Sequence, residues 1–162
     1  MAQAKKTVPE GFHTVTTQLT LDDGAKTIEW YKNALGAVEV SRFAGPDGKI
    51  MHADLRIGDS HIMVNDAVMG GKGPRATGGS PASLWLYVDD CDALFKRATD
   101  AGAQVKMPMA DQFWGDRCGA VIDPAGYTWT IATHKEDLTQ DEMRKRGEEF
   151  MKQFEKQAAA HS

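Results

Sequence analysis

Cysteine is scarce in this 162-residue sequence, with only Cys91 and Cys118 present. Two cysteines without C-x-x-C spacing exclude a disulfide framework and a four-cysteine zinc site, and they suit a reducing, cytoplasmic setting. Long apolar runs are lacking too. No stretch approaches the roughly 18 apolar residues of a membrane span, and Lys5 and Lys6 are not followed by the apolar segment of a signal peptide. There is no excess of positive charge: 19 Lys and Arg stand against 23 Asp and Glu, for a net charge of −4. The short Arg144–Arg146 cluster lies in a mixed-charge stretch, so neither nucleic acid nor membrane is expected as a partner. No G-x-S-x-G nucleophile motif occurs, and Gly71-Lys72-Gly73 lacks the following Ser or Thr of a phosphate loop. What is there is ordinary globular composition, 41% hydrophobic and 26% charged.

The chain carries a doubled pattern. Leu19-Thr-Leu-Asp-Asp23 is echoed by Leu86-Tyr-Val-Asp-Asp90, with Asp22 and Asp89 67 residues apart. Each copy is followed by a helical stretch ending at Gly-Ala, Gly36-Ala37 and then Gly102-Ala103. In the first copy, His13 to Leu21 alternates apolar and polar residues, predicting a half-buried strand. Ala25, Ile28, Tyr31 and Leu35 then recur at helical spacing. Strands are predicted at Val38–Phe43, Ile50–Ile57 and His61–Asn65, separated by Gly45-Pro-Asp-Gly48 and Gly58-Asp-Ser60 turns. The second copy repeats this. Leu84, Leu86 and Val88 alternate with Ser83, Trp85 and Tyr87, and Leu94, Ala98 and Ala101 mark a helix. Strands follow near Gln104–Met107, Arg117–Ile122 and Tyr127–Thr133.

The expected organisation is an N-terminal tail over 1–12, one domain over 13–135 and a C-terminal amphipathic helix and tail over 136–162. The domain divides into a module at 13–68, a glycine-rich linker or mobile loop at 69–81 and a second module at 82–135. In the tail, Met143, Gly147, Phe150 and Phe154 form one apolar stripe on a charged helix. Packing on its own domain and contact with a second copy are both open for that stripe.

Several segments resemble a known family. Thr27-Ile-Glu-Trp-Tyr-Lys-Asn-Ala-Leu-Gly36 resembles the "FYK…LG" helix of vicinal-oxygen-chelate proteins (glyoxalase, bleomycin resistance, extradiol dioxygenase), and Asp123-Pro-Ala-Gly126 is similar to their "DP.G" turn. Lys49–Gly58, Phe113-Trp-Gly-Asp-Arg117 and Trp129–His134 resemble the PhnB-like branch. The resemblance runs from about Thr14 to Glu142. It implies an α+β fold of two βαβββ modules whose sheets form a curved cavity with helices outside, and a homodimer.

Metal-dependent members of the family place His, Gln or Glu on four strands. Carried over one by one, those positions fall on Thr16, Asn65, Ser83 and Thr130, none a good transition-metal ligand. A slip in register would recruit Gln18 or Asp66 but no full set, so neither a metal nor another cofactor is expected. His52 shares a strand face with Asp54 and Arg56, where a carboxylate could orient an imidazole. Trp114-Gly-Asp-Arg117 offers an aromatic plate beside Asp116 and the planar donor fork of Arg117, although that pair could equally fix the loop. The candidate catalytic groups are His52, Asp116 and Arg117. The candidate ligand pocket is Thr16, Gln18, Asn65, Ser83, Trp85, Tyr87, Trp114 and Thr130. Three functions stay open: binding, with or without turnover, of a small polar metabolite without metal; sequestration of an antibiotic or other small molecule; and a metal-dependent lyase or dioxygenase with unusual ligands.

Overall fold

The computed structural model describes residues 6–160, with side chains to residue 157. The first five residues of the expected tail and the last two of the chain lie outside the described residues. The two predicted modules are present. The first runs β1 (Thr17–Leu21), α1 (Gly24–Trp30) closed by a π-type turn at Tyr31–Leu35, β2 (Val38–Ala44), β3 (Ile50–Ile57) and β4 (Ser60–Asp66). After a helical turn, α2 (Pro74–Thr77), the second runs β5 (Ser83–Tyr87), α3 (Cys91–Asp100), β6 (Gln104–Asp111), β7 (Asp116–Ile122) and β8 (Thr128–His134). A long helix, α4 (Gln140–Ala160), follows. The sheets have matching orders, β1-β4-β3-β2 and β5-β8-β7-β6, each with one parallel pair involving its first strand.

The repeated Asp-Asp pair has a local cause. Its second member caps a helix in each module: Asp23 accepts from the Lys26 amide and Asp90 from the Ala93 amide. A carboxylate at this position satisfies an otherwise orphan N–H of the first turn. Gly36 closes the first helix in the left-handed conformation, φ 72°, which glycine adopts without a Cβ penalty.

Strand alternation sets the two faces. Leu19, Leu21, Leu55, Ile62 and Val64 pack beneath Ile28, Tyr31 and Leu35, while Val121, Trp129 and Ile131 pack with Leu94 and Ala98 in the same core. Leu84 and Leu86 are partly buried against it. One buried carboxylate ties the modules together. Asp123, in the Asp-Pro-Ala-Gly turn, accepts from the Ala125 and Tyr127 amides, the Trp129 indole and, from the first module, the Tyr31 hydroxyl at 2.7 Å. Burial, and then Asp123, push the Tyr31 hydroxyl well above its ordinary pKa. The two family-like motifs are thus one hydrogen-bonded unit. Asp66 does the corresponding task in the first module, accepting from the Gly24 and Ile50 amides at 2.6 Å each.

Three segments differ from expectation. The first strand starts at Thr17 rather than His13, because the preceding residues pair with no neighbouring strand and Val15 is 88% exposed. The glycine-rich linker contains α2, whose Arg75 donates twice to the Pro124 carbonyl, and Pro74 packs against Gly126. That segment is therefore pinned to the second module. The strand predicted near Gln104–Met107 extends to Asp111 through two register shifts against β7, which keep its irregular sequence paired.

Candidate functional site

The edge strands β1 and β5 each pair on one side only. Between them lies a cleft of about 930 Å³, within the range of small-molecule sites. Of the candidate pocket residues, Thr16, Gln18, Ser83, Trp85 and Tyr87 line it. Asn65, Trp114 and Thr130 do not line it. Asn65 is nonetheless attached to it, because its side-chain oxygen accepts from Gln18 at 2.9 Å. Thr130 is buried opposite Trp85 on the neighbouring strand. The cleft also reaches round the strand edges to Leu19, Leu84, Leu86 and Trp129, so its walls are aromatic and aliphatic with polar groups at intervals.

On the face of the second sheet turned away from α3, Trp85 is 47% exposed and Tyr87 58% exposed. Their ring centroids are 6.1 Å apart, and Trp114 stands 6.4 Å from Trp85. Asp116, 3% exposed, organises these rings. Its Oδ2 accepts from the Tyr87 hydroxyl at 2.9 Å and the Trp114 indole at 3.0 Å, and its Oδ1 from His134 Nδ1 at 2.7 Å. Burial alone would push the Asp116 pKa up, but the bonds from His134, Tyr87 and Trp114 outweigh it and hold it below the usual carboxylate value. The same contacts raise Tyr87 and His134: the bond to Asp116 is the main cause in both, with Asp137 adding to His134. Asp116 therefore holds two rings of the site in fixed orientation.

Arg117 is placed apart from the aromatic rings. Neighbours on a strand face opposite ways, and Asp116 and Arg117 are consecutive residues of β7. Arg117 points to the helix side, where Asp92 of α3 takes its Nε and Nη2 at 2.7 Å each and Asp111 takes Nη1 at 3.2 Å. It fixes α3 to the sheet and does not join Asp116 at the aromatic face.

His52 is not paired with Asp54. It is exposed on β3, and Asp54, its expected partner, bonds another imidazole. Both Asp54 oxygens stand 2.9 Å from His61 Nδ1, with the two side chains 7% and 10% exposed. The pair lies on the face of the first sheet turned away from the helices, His61 lines the cleft, and Phe12 stacks on its ring at 4.4 Å. The sequence reading saw His61 only as a strand start. The signal was available, because the short Gly58-Asp59 connection sets Arg56 opposite His61 and hence Asp54 diagonal to it on one face.

The positions that hold a metal in the family do not fit one here. Thr16 donates to the His13 carbonyl, the Asn65 amide is engaged by Gln18 and by the Asp66 carbonyl, and Ser83 and Thr130 offer neutral hydroxyls from the other sheet. Among the described residues no group of three or more His, Cys, Asp or Glu is placed to hold an ion.

Residues 12–131 match the family model described as the glyoxalase/bleomycin resistance protein/dioxygenase superfamily. The chain belongs to that superfamily. An uncharacterized protein of Mycobacterium bovis is 43% identical over 135 residues, covering 80% of this chain and 89% of its own. The crystal structure of TioX from Micromonospora sp. ML1 is 28% identical with a TM-score of 0.60, covering 78% of this chain and all of that one. An Arabidopsis thaliana gene product of known X-ray structure is 25% identical with a TM-score of 0.61, covering 76% of this chain and 99% of its own. Helix α4 lies beyond the stretch that defines this glyoxalase-like protein as a superfamily member.

Proposed function

We propose that this glyoxalase-like protein binds a small, planar organic molecule with hydrogen-bonding groups in the cleft between β1 and β5, and that binding needs no transition metal. The observation that carries the reading is the pair of exposed rings, Trp85 and Tyr87, the latter oriented by Asp116, on one wall of a cleft whose other groups include Gln18, Ser83 and His61. Exposed aromatic rings held by a buried carboxylate are an unfavourable surface in water unless something flat covers them. The donor set supports the metal-free part, since neutral hydroxyls and an engaged amide bind zinc, nickel or iron weakly. The reading includes a homodimer, in which a second copy shields Val38, Val40, Phe43 and, on α4, Met143, Phe150 and Phe154, all exposed in the single chain although Phe150 also contacts Phe113.

Calorimetric titration with 2-naphthol, a flat neutral probe, in the presence of EDTA tests this. Stacking on one ring is worth about 0.5–1.5 kcal/mol, so Trp85→Ala and Tyr87→Ala should each weaken binding by roughly two- to tenfold. Binding that appears only after zinc is added, or that ignores both substitutions, would overturn the reading.

A further inference from the structure

The cleft holds one group whose geometry exceeds what binding requires. His61 Nδ1 contacts both oxygens of buried Asp54. A carboxylate can only accept, so Nδ1 is the donor to Asp54, and in the neutral imidazole the lone pair is then on Nε2. Nε2 makes no hydrogen bond, yet no buried side-chain nitrogen or oxygen among the described residues lacks a partner. Nε2 is therefore open, and it belongs to a residue that lines the cleft. In the segment before β1 lies Gly11, at φ 81°, where an added Cβ would stand 2.8 Å from Nε2. The ring has little freedom to retreat, being held by Asp54 and stacked by Phe12. A side chain at position 11 would thus close off the one free nitrogen.

We propose that His61 is a proton acceptor of the cleft, with Asp54 as its positioning residue. The ligand class is a neutral planar carbon acid whose flat body lies among Leu19, Leu84, Leu86 and Trp85 and whose acidic C–H faces Nε2. In the step, Nε2 takes the proton, the C–H electron pair stays with the ligand as a delocalised anion or forms a new π bond while a leaving group departs, and the imidazolium is balanced by Asp54. No metal and no redox partner enters. The inference rests on the binding reading above and adds chemistry to it.

The elimination of 5-nitrobenzisoxazole is a direct probe. A base removes its single ring C–H proton, the electron pair forms a C≡N bond, and the N–O bond breaks to give a coloured phenolate. The intact protein is expected to accelerate this reaction with saturation. A positioned general base contributes about 10²-fold or more, so His61→Gln should lower kcat by about that factor, with its melting temperature recording that it is folded. Asp54→Asn should lower kcat about tenfold while leaving KM near its original value, a split that a merely structural role would not produce. Gly11→Ala should also lower kcat, because its Cβ would crowd Nε2 at 2.8 Å. Quenching of Trp85 fluorescence reports binding separately, with Trp85→Ala as its control. A wild-type protein that shows quenching without elimination overturns the proton-acceptor role alone, as does a folded His61→Gln protein with unchanged kcat. Absence of both quenching and elimination overturns the binding reading and this assignment with it.

Discussion

Replacing Asp116 by Asn separates the charge of this carboxylate from its shape. The carboxylate lies under the rings at 3% exposure and receives three donors at 2.7, 2.9 and 3.0 Å. An amide of the same size keeps one acceptor oxygen, which can serve Tyr87 and Trp114, but it turns an N–H toward His134 Nδ1 and removes the charge that strengthens all three bonds. The His134 contact is half exposed and counts for little toward stability. The Tyr87 and Trp114 bonds then decide the magnitude, and losing charge assistance in two such bonds costs about 1–3 kcal/mol. For a chain of this length that lowers the melting temperature by roughly 2–10 °C. The pH dependence has a definite sign. Asp116 is held below its ordinary 3.8, so its contribution is complete above that value and is lost as pH falls through the lower folded-state value. His134 is held above its ordinary 6.5, so its contribution is complete below 6.5 and fades as pH rises through the higher folded-state value. Circular dichroism melts of both proteins between pH 5.5 and 8.5 should therefore show wild type losing part of its advantage over Asp116→Asn at the alkaline end. Near-ultraviolet dichroism should report looser Tyr87 and Trp114 rings in the variant. A variant melting within 1 °C of wild type at every pH, with unchanged aromatic dichroism, would refute this account of the site's rigidity.

Other outcomes follow from the same geometry. Arg117→Ala should lower the melting temperature modestly and leave 2-naphthol affinity unchanged, because its partners Asp92 and Asp111 lie on the helix side; a tenfold loss of affinity in calorimetry would contradict that placement. Asp123→Ala should destabilise by about 3–5 kcal/mol, since it strips four donors from a buried carboxylate that joins the modules; denaturant unfolding with a loss under about 1 kcal/mol would contradict it. Light scattering should find a dimer in the wild-type protein and a weakened one in Phe150→Lys with Phe154→Lys, with a clean wild-type monomer at micromolar concentration counting against the shielding of α4. Gly119→Ala should be poorly tolerated, because a Cβ there would meet Met109 at 2.7 Å and Phe95 at 2.8 Å, and an unchanged melting temperature would show that these side chains move aside freely.

Much of the fold was legible because its signals are local. The Asp-Asp caps, the glycines closing the helices and the period-two alternation are each enforced by neighbouring atoms, so the doubling could be read from spacing alone. The pinned linker was not legible, since glycine richness indicates a free loop whereas Arg75 is held by a carbonyl 49 residues away. At the site, strand parity puts Ser83, Trp85 and Tyr87 on one face, whereas the reach of the cleft round the strand edges to Leu84 and Leu86 follows from the packing of the two sheets. Parity also places Arg117: the strand predicted from Arg117 begins one residue earlier, at Asp116, so the two consecutive side chains face opposite ways. The Asp54–His61 pair was missed because it is a diagonal contact across a hairpin, which appears only once the length of the turn is fixed. The hub at Asp116 unites residues from positions 87, 114, 116 and 134, and no spacing in the sequence announces it.

The central claim is that a flat ligand seats in the cleft between β1 and β5 against the exposed rings. The four tryptophan indole N–H groups provide separate reporters in a proton–nitrogen correlation spectrum titrated with 2-naphthol in EDTA. Trp85 lines the cleft and Trp114 neighbours it, whereas Trp30 is buried and donates to the Ala101 carbonyl in the helical layer. The account predicts saturable shifts of the Trp85 and Trp114 indoles with the Trp30 signal unmoved. Shifts at Trp30 comparable to those at Trp85, or no saturable shift at Trp85, would contradict it.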